Sequence, residues 1–443
     1  MRDLLSALIG KAVRQVARLR GGGSALPGLV VDKIDPGFLA RVLGRLPYGV
    51  VAVSGTNGKT TTTKMIVEIL EAQGLRVFTN RTGSNFSRGV IAAAVQECTV
   101  AGKLQADIAV LELDEAHAMY FIDRVRPRHT LLLNVLRDQL DRFGEIDTTA
   151  QLLRRIAEAT TDGVVVNRED PLLEAIGARI EAEVAGSGRP ELRRFGLSPA
   201  LRATFPSDSD FHGAAAHDSA SADPDSDRVF ADVVLAEIGD HEVVFEIDGD
   251  RHRTSLRLEG LYNTFNAAAA LATVRMVLGS GAGGGRSADT GAILSALSEV
   301  RPAFGRGEQL QLDGHPLELV LVKNPAGFRL GLASFDPEGV DTMIAINDQY
   351  ADGRDMSWLW DVDFTSLQAS GVRTVSGTRA WDMALRLEHD DVRVDRVLED
   401  LATALRSFRA ETGERPRRIY CTYTAMLELR RELAEITEVE EIW

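Results

Sequence analysis

Val50-Val51-Ala52-Val53-Ser54-Gly55-Thr56-Asn57-Gly58-Lys59-Thr60-Thr61 is the stretch that decides the fold. Its apolar run, Val50 to Val53, reads as a strand buried on both faces. Residues Gly55 to Thr60 then make a glycine turn, and Thr61 to Ala72 carries apolar residues at helical spacing. Strand, glycine loop and helix in that order form a phosphate cradle, because loop N–H groups and the helix N-terminal dipole both favour an anion. Lys59 is placed to neutralise β- and γ-phosphates, and the Thr60 hydroxyl to hold Mg²⁺. Gly55, Thr56, Asn57, Gly58, Lys59, Thr60 and Thr61 are therefore the expected ATP contacts. Strict phosphate-loop spacing asks for glycine at position 53, where this chain has Val53.

Outward from the loop, the same alternation repeats. Val77-Phe78-Thr79, Ile108 to Leu111, Thr130 to Asn134 and Gly163 to Asn167 read as further strands separated by helical patterns. The spacing predicts an α/β fold with a parallel, doubly wound sheet. Residues 186–228 interrupt it with Pro190, Pro199, Pro206 and Pro224 and a Ser-, Asp-, Ala- and His-rich run, and are expected to be an irregular insertion. Val229 to Leu258 alternates like a hairpin, and Asn263 to Leu278 reads as a helix. A second, smaller α/β unit begins near Leu317, with strands at Leu319 to Val322, Thr342 to Ile346 and Ile419 to Cys421. The expected division is 1–45, an amphipathic helix and connector; 46–300, an ATP-binding middle domain; and 301–443, a C-terminal α/β domain.

The chain has 443 residues and a formal charge of −15, which disfavours general nucleic-acid binding through electrostatic repulsion. Its two cysteines, Cys98 and Cys421, exclude a disulfide framework and a four-thiolate zinc site within one chain. Reduced thiols and the absence of an apolar run of roughly 18 residues point to a cytoplasmic protein. Leu4 to Arg20 carries apolar residues at helical spacing among Lys11, Arg14, Arg18 and Arg20. Such a helix either packs on its own domain or lies on an anionic membrane surface.

The loop variant Gly55-Thr56-Asn57-Gly58-Lys59-Thr60 resembles that of the Mur ligases. Other segments follow in that family's order. Glu112, in Leu111-Glu112-Leu113-Asp114-Glu115, matches its acidic Mg²⁺ ligand. Asn134 to Arg142 resembles its Asn…Asp-His-Leu-Asp stretch, with Gln139 in place of histidine. Asn266, in Leu261 to Ala269, matches the asparagine that faces adenine, and Phe304-Gly305-Arg306-Gly307-Glu308 resembles the Gly-Arg-x-Glu link into the last domain. The Asp-x-Ala-His-Asn-Pro motif of amino-acid-adding members is replaced by Leu321 to Phe328. Arg306 and Asn324 complete the expected cofactor-binding set.

Asn347 to Phe364 instead resembles the MurT-type branch, the Mur ligase-like subunits of lipid II isoglutaminyl synthase, as do Leu26-Pro27-Gly28 and Thr422 to Met426. That resemblance implies amidation of the D-glutamate α-carboxylate in the lipid II stem peptide through an acyl-phosphate. It further implies ATP and Mg²⁺ on Thr60 and Glu112, no zinc, and ammonia from a GatD-like glutaminase in a heterodimer. Lys59, Glu112 and Asp355 are the expected catalytic residues. Asp355 is chosen from the acidic group Asp348, Asp352, Asp355, Asp361 and Asp363, whose plain reading is a turn-forming loop. A lipid-linked substrate would place the protein at the inner face of the cell membrane. An amino-acid-adding ligase and a non-catalytic nucleotide-binding scaffold are the competing readings.

Overall fold

A computed structural model describes residues 2–19, 26–80, 87–136, 146–184, 190–202, 229–239, 242–258, 260–280, 289–301, 306–353 and 355–439. The chain forms two compact units, one of Met1–Val135, Ile146–Arg257 and Asn263–Val300, the other of Leu136–Glu145, Leu258–Tyr262 and Arg301–Trp443.

The first unit is built on β1 (Val50–Ser54), β2 (Val77–Thr79), β3 (Ile108–Glu112), β4 (His129–Leu132), β5 (Gly163–Asn167), β6 (Glu191–Leu197), β7 (Val233–Ile238), β8 (Glu242–Ile247) and β9 (Asp250–Ser255). Their order across the sheet is β2-β3-β1-β4-β5-β6-β7-β8-β9. Pairing is parallel as far as β7, and β8 and β9 then join antiparallel. Strands β1, β3 and β5 are buried along their whole length, as continuous apolar runs require in a sheet covered on both faces. Asp248 and Gly249, with φ of 53° and 89°, turn β8 into β9, the left-handed pair that a two-residue hairpin needs. Helix Leu261–Gly279 lies close on β5: a Cβ at Gly163 would come 2.4 Å from Met276 Sδ.

Two expectations are corrected here. Glu191–Leu197, inside the expected insertion at 186–228, is strand β6, and Pro199–Arg202 is a short helix. Pro190 and Pro199 stand just outside the strand's ends, where a missing N–H removes no ladder bond. Residues 203–228 lie outside the described residues. The expected hairpin from Val229 to Leu258 is a three-stranded meander.

Residues 1–45 pack within the first unit. Helices α1 (Arg2–Leu19), α2 (Leu26–Ile34) and α3 (Phe38–Leu43) precede β1, and α4 (Lys59–Ala72), α5 (Ser87–Glu97) and α6 (Glu115–Ile122) follow in turn. Gly28 lets α2 approach α5, since a Cβ there would sit 1.9 Å from Arg88 O.

In the second unit the order is β10-β11-β15-β12-β13-β14, formed by Arg306–Leu312, His315–Leu321, Arg417–Cys421, Asp341–Ala345, Val372–Ser376 and Val394–Leu398 respectively. Only β10 runs antiparallel to its neighbour. Strand β15 returns between β11 and β12. Phe328 on helix Pro325–Ser334 packs into one core with Phe364 and Met383, whereas Met426 and Leu429 on helix Tyr423–Leu433 pack into another with Phe408. The carboxyl ends of β12 and β15 therefore meet at a topological switch, where open α/β sheets form crevices.

Candidate active site

Three parallel strand ends build the loop's surroundings. Strand β1 lies between β3 and β4, with Val53 paired to Glu112 on one side and Leu131 on the other. Gly55 has φ of 133°, and a Cβ there would come 2.9 Å from Asn134 N. Gly58 has φ of 88° and caps α4, and a Cβ there would meet both amide atoms of Asn266 at 2.8 Å. Both positions require glycine on conformation and on space.

Asn134 clamps the loop. It accepts Asn57 N–H at 2.8 Å, donates to Asn57 O at 3.0 Å, and its own carbonyl accepts Thr56 N–H at 3.0 Å. Beyond Asn134, Arg137 to Arg142 falls outside the described residues, and with it the Gln139 substitution.

Lys59 is buried at the start of α4. Its Nζ donates to Gly55 O at 2.5 Å, to Thr56 O at 3.4 Å and to Glu115 Oε1 at 3.2 Å. The Lys59 and Glu115 side chains are only 8% and 5% exposed, so each relieves the other's desolvation. Thr61 Oγ1 is buried with no hydrogen-bond partner, an orphaned hydroxyl one residue beyond the loop. A phosphate oxygen would satisfy it, which together with the glycine cradle fits a nucleotide triphosphate.

Glu112 is buried at the end of β3. Asn80, just after β2, fixes its backbone by accepting Glu112 N–H at 3.0 Å and donating to Glu112 O at 2.8 Å. Thr60 and Glu112 offer hard oxygen donors of the type Mg²⁺ takes, with few protein ligands and the rest left to water and phosphate. Among the described residues, no group of three or more His, Cys, Asp or Glu side chains is placed to hold a metal ion. Glu115, Asn80 and the clamp made by Asn134 were not read from the sequence as site residues. An acidic pair directly after a buried strand was the signal for Glu115; Asn80 carried none.

In the second unit, the acidic group separates into distinct roles. Asp348 accepts Thr378 Oγ1–H at 2.8 Å and Arg379 Nε–H at 2.9 Å. Asp352 is 2% exposed and accepts Thr424 N–H at 2.7 Å, the Thr424 hydroxyl at 2.5 Å and Gln349 N–H at 3.1 Å. Burial pushes its carboxyl above the usual carboxylate range despite those bonds. Asp363 accepts Thr365 N–H at 2.8 Å, at the start of a 3₁₀ turn. Asp355 is exposed; Ser357 hydrogen bonds hold its carboxyl below the usual range, with Ser357 N–H at 2.9 Å. Asn324 caps helix Pro325–Ser334 through Gly327 N–H at 2.8 Å. Arg306 opens β10, its backbone paired with Val320.

Neither cysteine is set up as a nucleophile. Burial pushes the Cys98 thiol up to about 11, the reverse of what a reactive thiolate needs. Cys421 is fully buried in β15.

Comparison with known proteins agrees with this geometry. The family described as Mur ligase middle domain matches residues 53–199, and that described as MurT ligase C-terminal matches 321–426. The chain is 30% identical over 453 residues to the lipid II isoglutaminyl synthase (glutamine-hydrolyzing) subunit MurT of Streptococcus pneumoniae, covering 98% of this chain and 97% of that protein. The corresponding subunit of Staphylococcus aureus strain COL is 27% identical over 415 residues, 90% of each. Among solved structures, MurF from Acinetobacter baumannii superposes with a TM-score of 0.64 at 16% identity, over 90% of this chain and 78% of that one. MurF from Thermotoga maritima, in complex with ADP, gives 0.62 at 16% identity, over 89% and 82%. At these identities the structures attest the fold alone.

Proposed function

The chain belongs to the MurT family of lipid II isoglutaminyl synthase subunits, and from that premise we propose that it amidates the D-glutamate α-carboxylate of the lipid II stem peptide. ATP bound at Gly55 to Thr61 supplies the phosphoryl group. A carboxylate oxygen attacks the γ-phosphorus and ADP leaves, giving an acyl-phosphate. Ammonia then attacks the acyl carbon, phosphate leaves, and the nitrogen loses a proton to give D-isoglutamine. The observation that carries this reading is the cradle itself: two glycines that admit no Cβ, Lys59 at the helix start, and the orphaned Thr61 hydroxyl.

Lys59 would turn from Glu115 and the loop carbonyls toward the γ-phosphate, spreading charge in the transition state. Thr60 and Glu112 would hold Mg²⁺, which supplies Lewis-acid polarisation of the phosphoryl oxygens. Asn266, against Gly58, is suited to the adenosine end of the nucleotide. Asn324 caps helix Pro325–Ser334 through Gly327 N–H, and its place in the nucleotide-binding set belongs to this proposal.

Ammonia would come from a GatD-like glutaminase subunit, because both of this chain's thiols are buried. Asp355, exposed and held ionised by Ser357, is suited to orient a partner's catalytic histidine. Trp360, Trp381 and Leu385 expose large apolar surface on the same unit, the residue types that anchor protein interfaces.

Reconstitution decides the matter. The purified chain with a glutaminase partner, ATP and lipid II should form amide, and Asp355→Asn should abolish the glutamine-dependent rate while sparing the rate with free ammonium. No amide even with ammonium would reject the ligase reading. Amino-acid-dependent phosphate release without a partner would favour an amino-acid-adding ligase.

A further inference from the structure

Helix α1 has two unlike faces. Ser6, Ala7, Gly10 and Ala17 are buried inward, and a Cβ at Gly10 would come 2.5 Å from Val95 Cγ1, so the backbone of α1 lies directly on α5. Asp3 bonds Arg41 at 2.8 Å and Arg45 at 2.5 Å, and Ser6 Oγ donates to Asp35 at 2.7 Å. These ties fix the helix's rotation.

The face left outward is mainly apolar, with exposed Gln15 as a polar side chain within it. Leu4, Leu5, Leu8 and Val16 are 41%, 57%, 43% and 50% exposed, and Ala12 is exposed among them. At 100° per residue these five side chains share one arc of the helix, bordered by half-buried Lys11 and Arg14. A leucine-lined stripe this exposed is uncommon on a helix whose other face already serves the core.

Charge identifies what covers it. Residues 1–45 hold eight Lys or Arg against three Asp, a surplus of five positive charges, in a chain whose net formal charge is −15. A cationic segment of an acidic protein therefore also presents an apolar stripe. Among the described residues no helix is long and apolar enough to cross a membrane. The combination fits a helix lying in the plane of a bilayer, its leucines among the acyl chains and its cations among anionic headgroups.

We propose that α1 docks the protein on an anionic phospholipid surface through Leu4, Leu5, Leu8, Ala12 and Val16, with Lys11 and Arg14 facing the headgroups. The docking stands on the N-terminal segment alone; that it brings the active site to a lipid-linked substrate rests on the function proposed above. Both apolar insertion and charge attraction contribute, so binding should weaken when either is removed.

Cosedimentation of the full chain with phosphatidylglycerol-containing vesicles, read without any activity assay, tests it. The protein should bind these vesicles and pure phosphatidylcholine far less, and high salt should release most of it. Leu5→Glu with Leu8→Glu should lower the partition coefficient about tenfold or more, and Lys11→Glu with Arg14→Glu should remove the preference for anionic lipid. Unchanged nucleotide affinity and melting temperature would confirm that the variants fold. Equal binding to both vesicle types, no binding to either, or a wild-type dimer that the leucine substitutions dissolve would each overturn the proposal, the last by assigning the face to a second copy.

Discussion

Lys59 and Glu115 form a buried pair whose partners cannot be removed singly without penalty. Lys59→Met is expected to cut turnover by roughly a hundredfold or more, and also to destabilise the chain by about 1–3 kcal/mol by leaving Glu115 buried without its cation. Adding Glu115→Gln should restore most of the melting temperature and none of the turnover, measured by calorimetry and phosphate release on the same preparations. A double variant that recovers activity would show Lys59 to be merely structural. Gly58→Ala places a methyl 2.8 Å from the Asn266 amide at a φ of 88°; the conformational strain alone is about 1–2 kcal/mol, and the ATP dissociation constant should rise with it. The glycine turn was legible in the sequence because glycines at fixed spacing between a buried strand and a helix start are forced by the positive φ of Gly55 and Gly58. Asn80 was not, because an asparagine that imitates a strand partner looks like any other turn residue. Asn324 drew attention through its motif position, yet Asn before Pro is also the ordinary grammar of a helix start.

At the scale of elements, helix α1 should detach in acid. Burial alone would raise the Asp3 and Asp35 carboxyls, but hydrogen bonds and charge from Arg41, with Arg45 beside Asp3, outweigh it and leave both below the usual range. Their contribution is therefore complete above the ordinary carboxylate pKa and is lost as pH falls through the lowered values. Hydrogen exchange should show α1 amides losing protection in that window before the β1 amides do; simultaneous loss would mean that α1 is not held by these pairs. Asp352 has the opposite sign. Its carboxyl is raised, so its contribution is complete below the ordinary pKa and is lost as pH rises through the raised value. Asp352→Asn should remove that dependence and cost about 1–3 kcal/mol, because an amide nitrogen at the Oδ2 position accepts no hydrogen bond and leaves Gln349 N–H without its acceptor. The central strands were legible as apolar runs. Strand β6 was hidden by its flanking prolines, and β14 by Asp395 and Arg396 in its middle, an edge strand whose charged side chains suit solvent.

At the scale of the whole molecule, the chain has the Mur ligase fold, and its second unit carries the segment that distinguishes the MurT branch. That distinction was legible because Leu321 to Phe328, from the end of β11, stands where the amino-acid-adding members carry their Asp-x-Ala-His-Asn-Pro motif, and the acidic turns after β12 add a second departure. The roles inside the group were not legible, since the burial of Asp352 against Thr424 depends on strand β15 returning beside β12 from far along the chain. If the exposed aromatic surface receives the glutaminase, Trp381→Ala should weaken the complex about tenfold or more, read by titration of one subunit into the other; unchanged affinity would place the interface elsewhere. The central claim, that ATP at this loop activates a carboxylate, is tested most directly by isotope transfer. With heavy oxygen in the D-glutamate α-carboxylate, the inorganic phosphate released per amide formed should carry one labelled oxygen, and phosphate free of label would contradict the account.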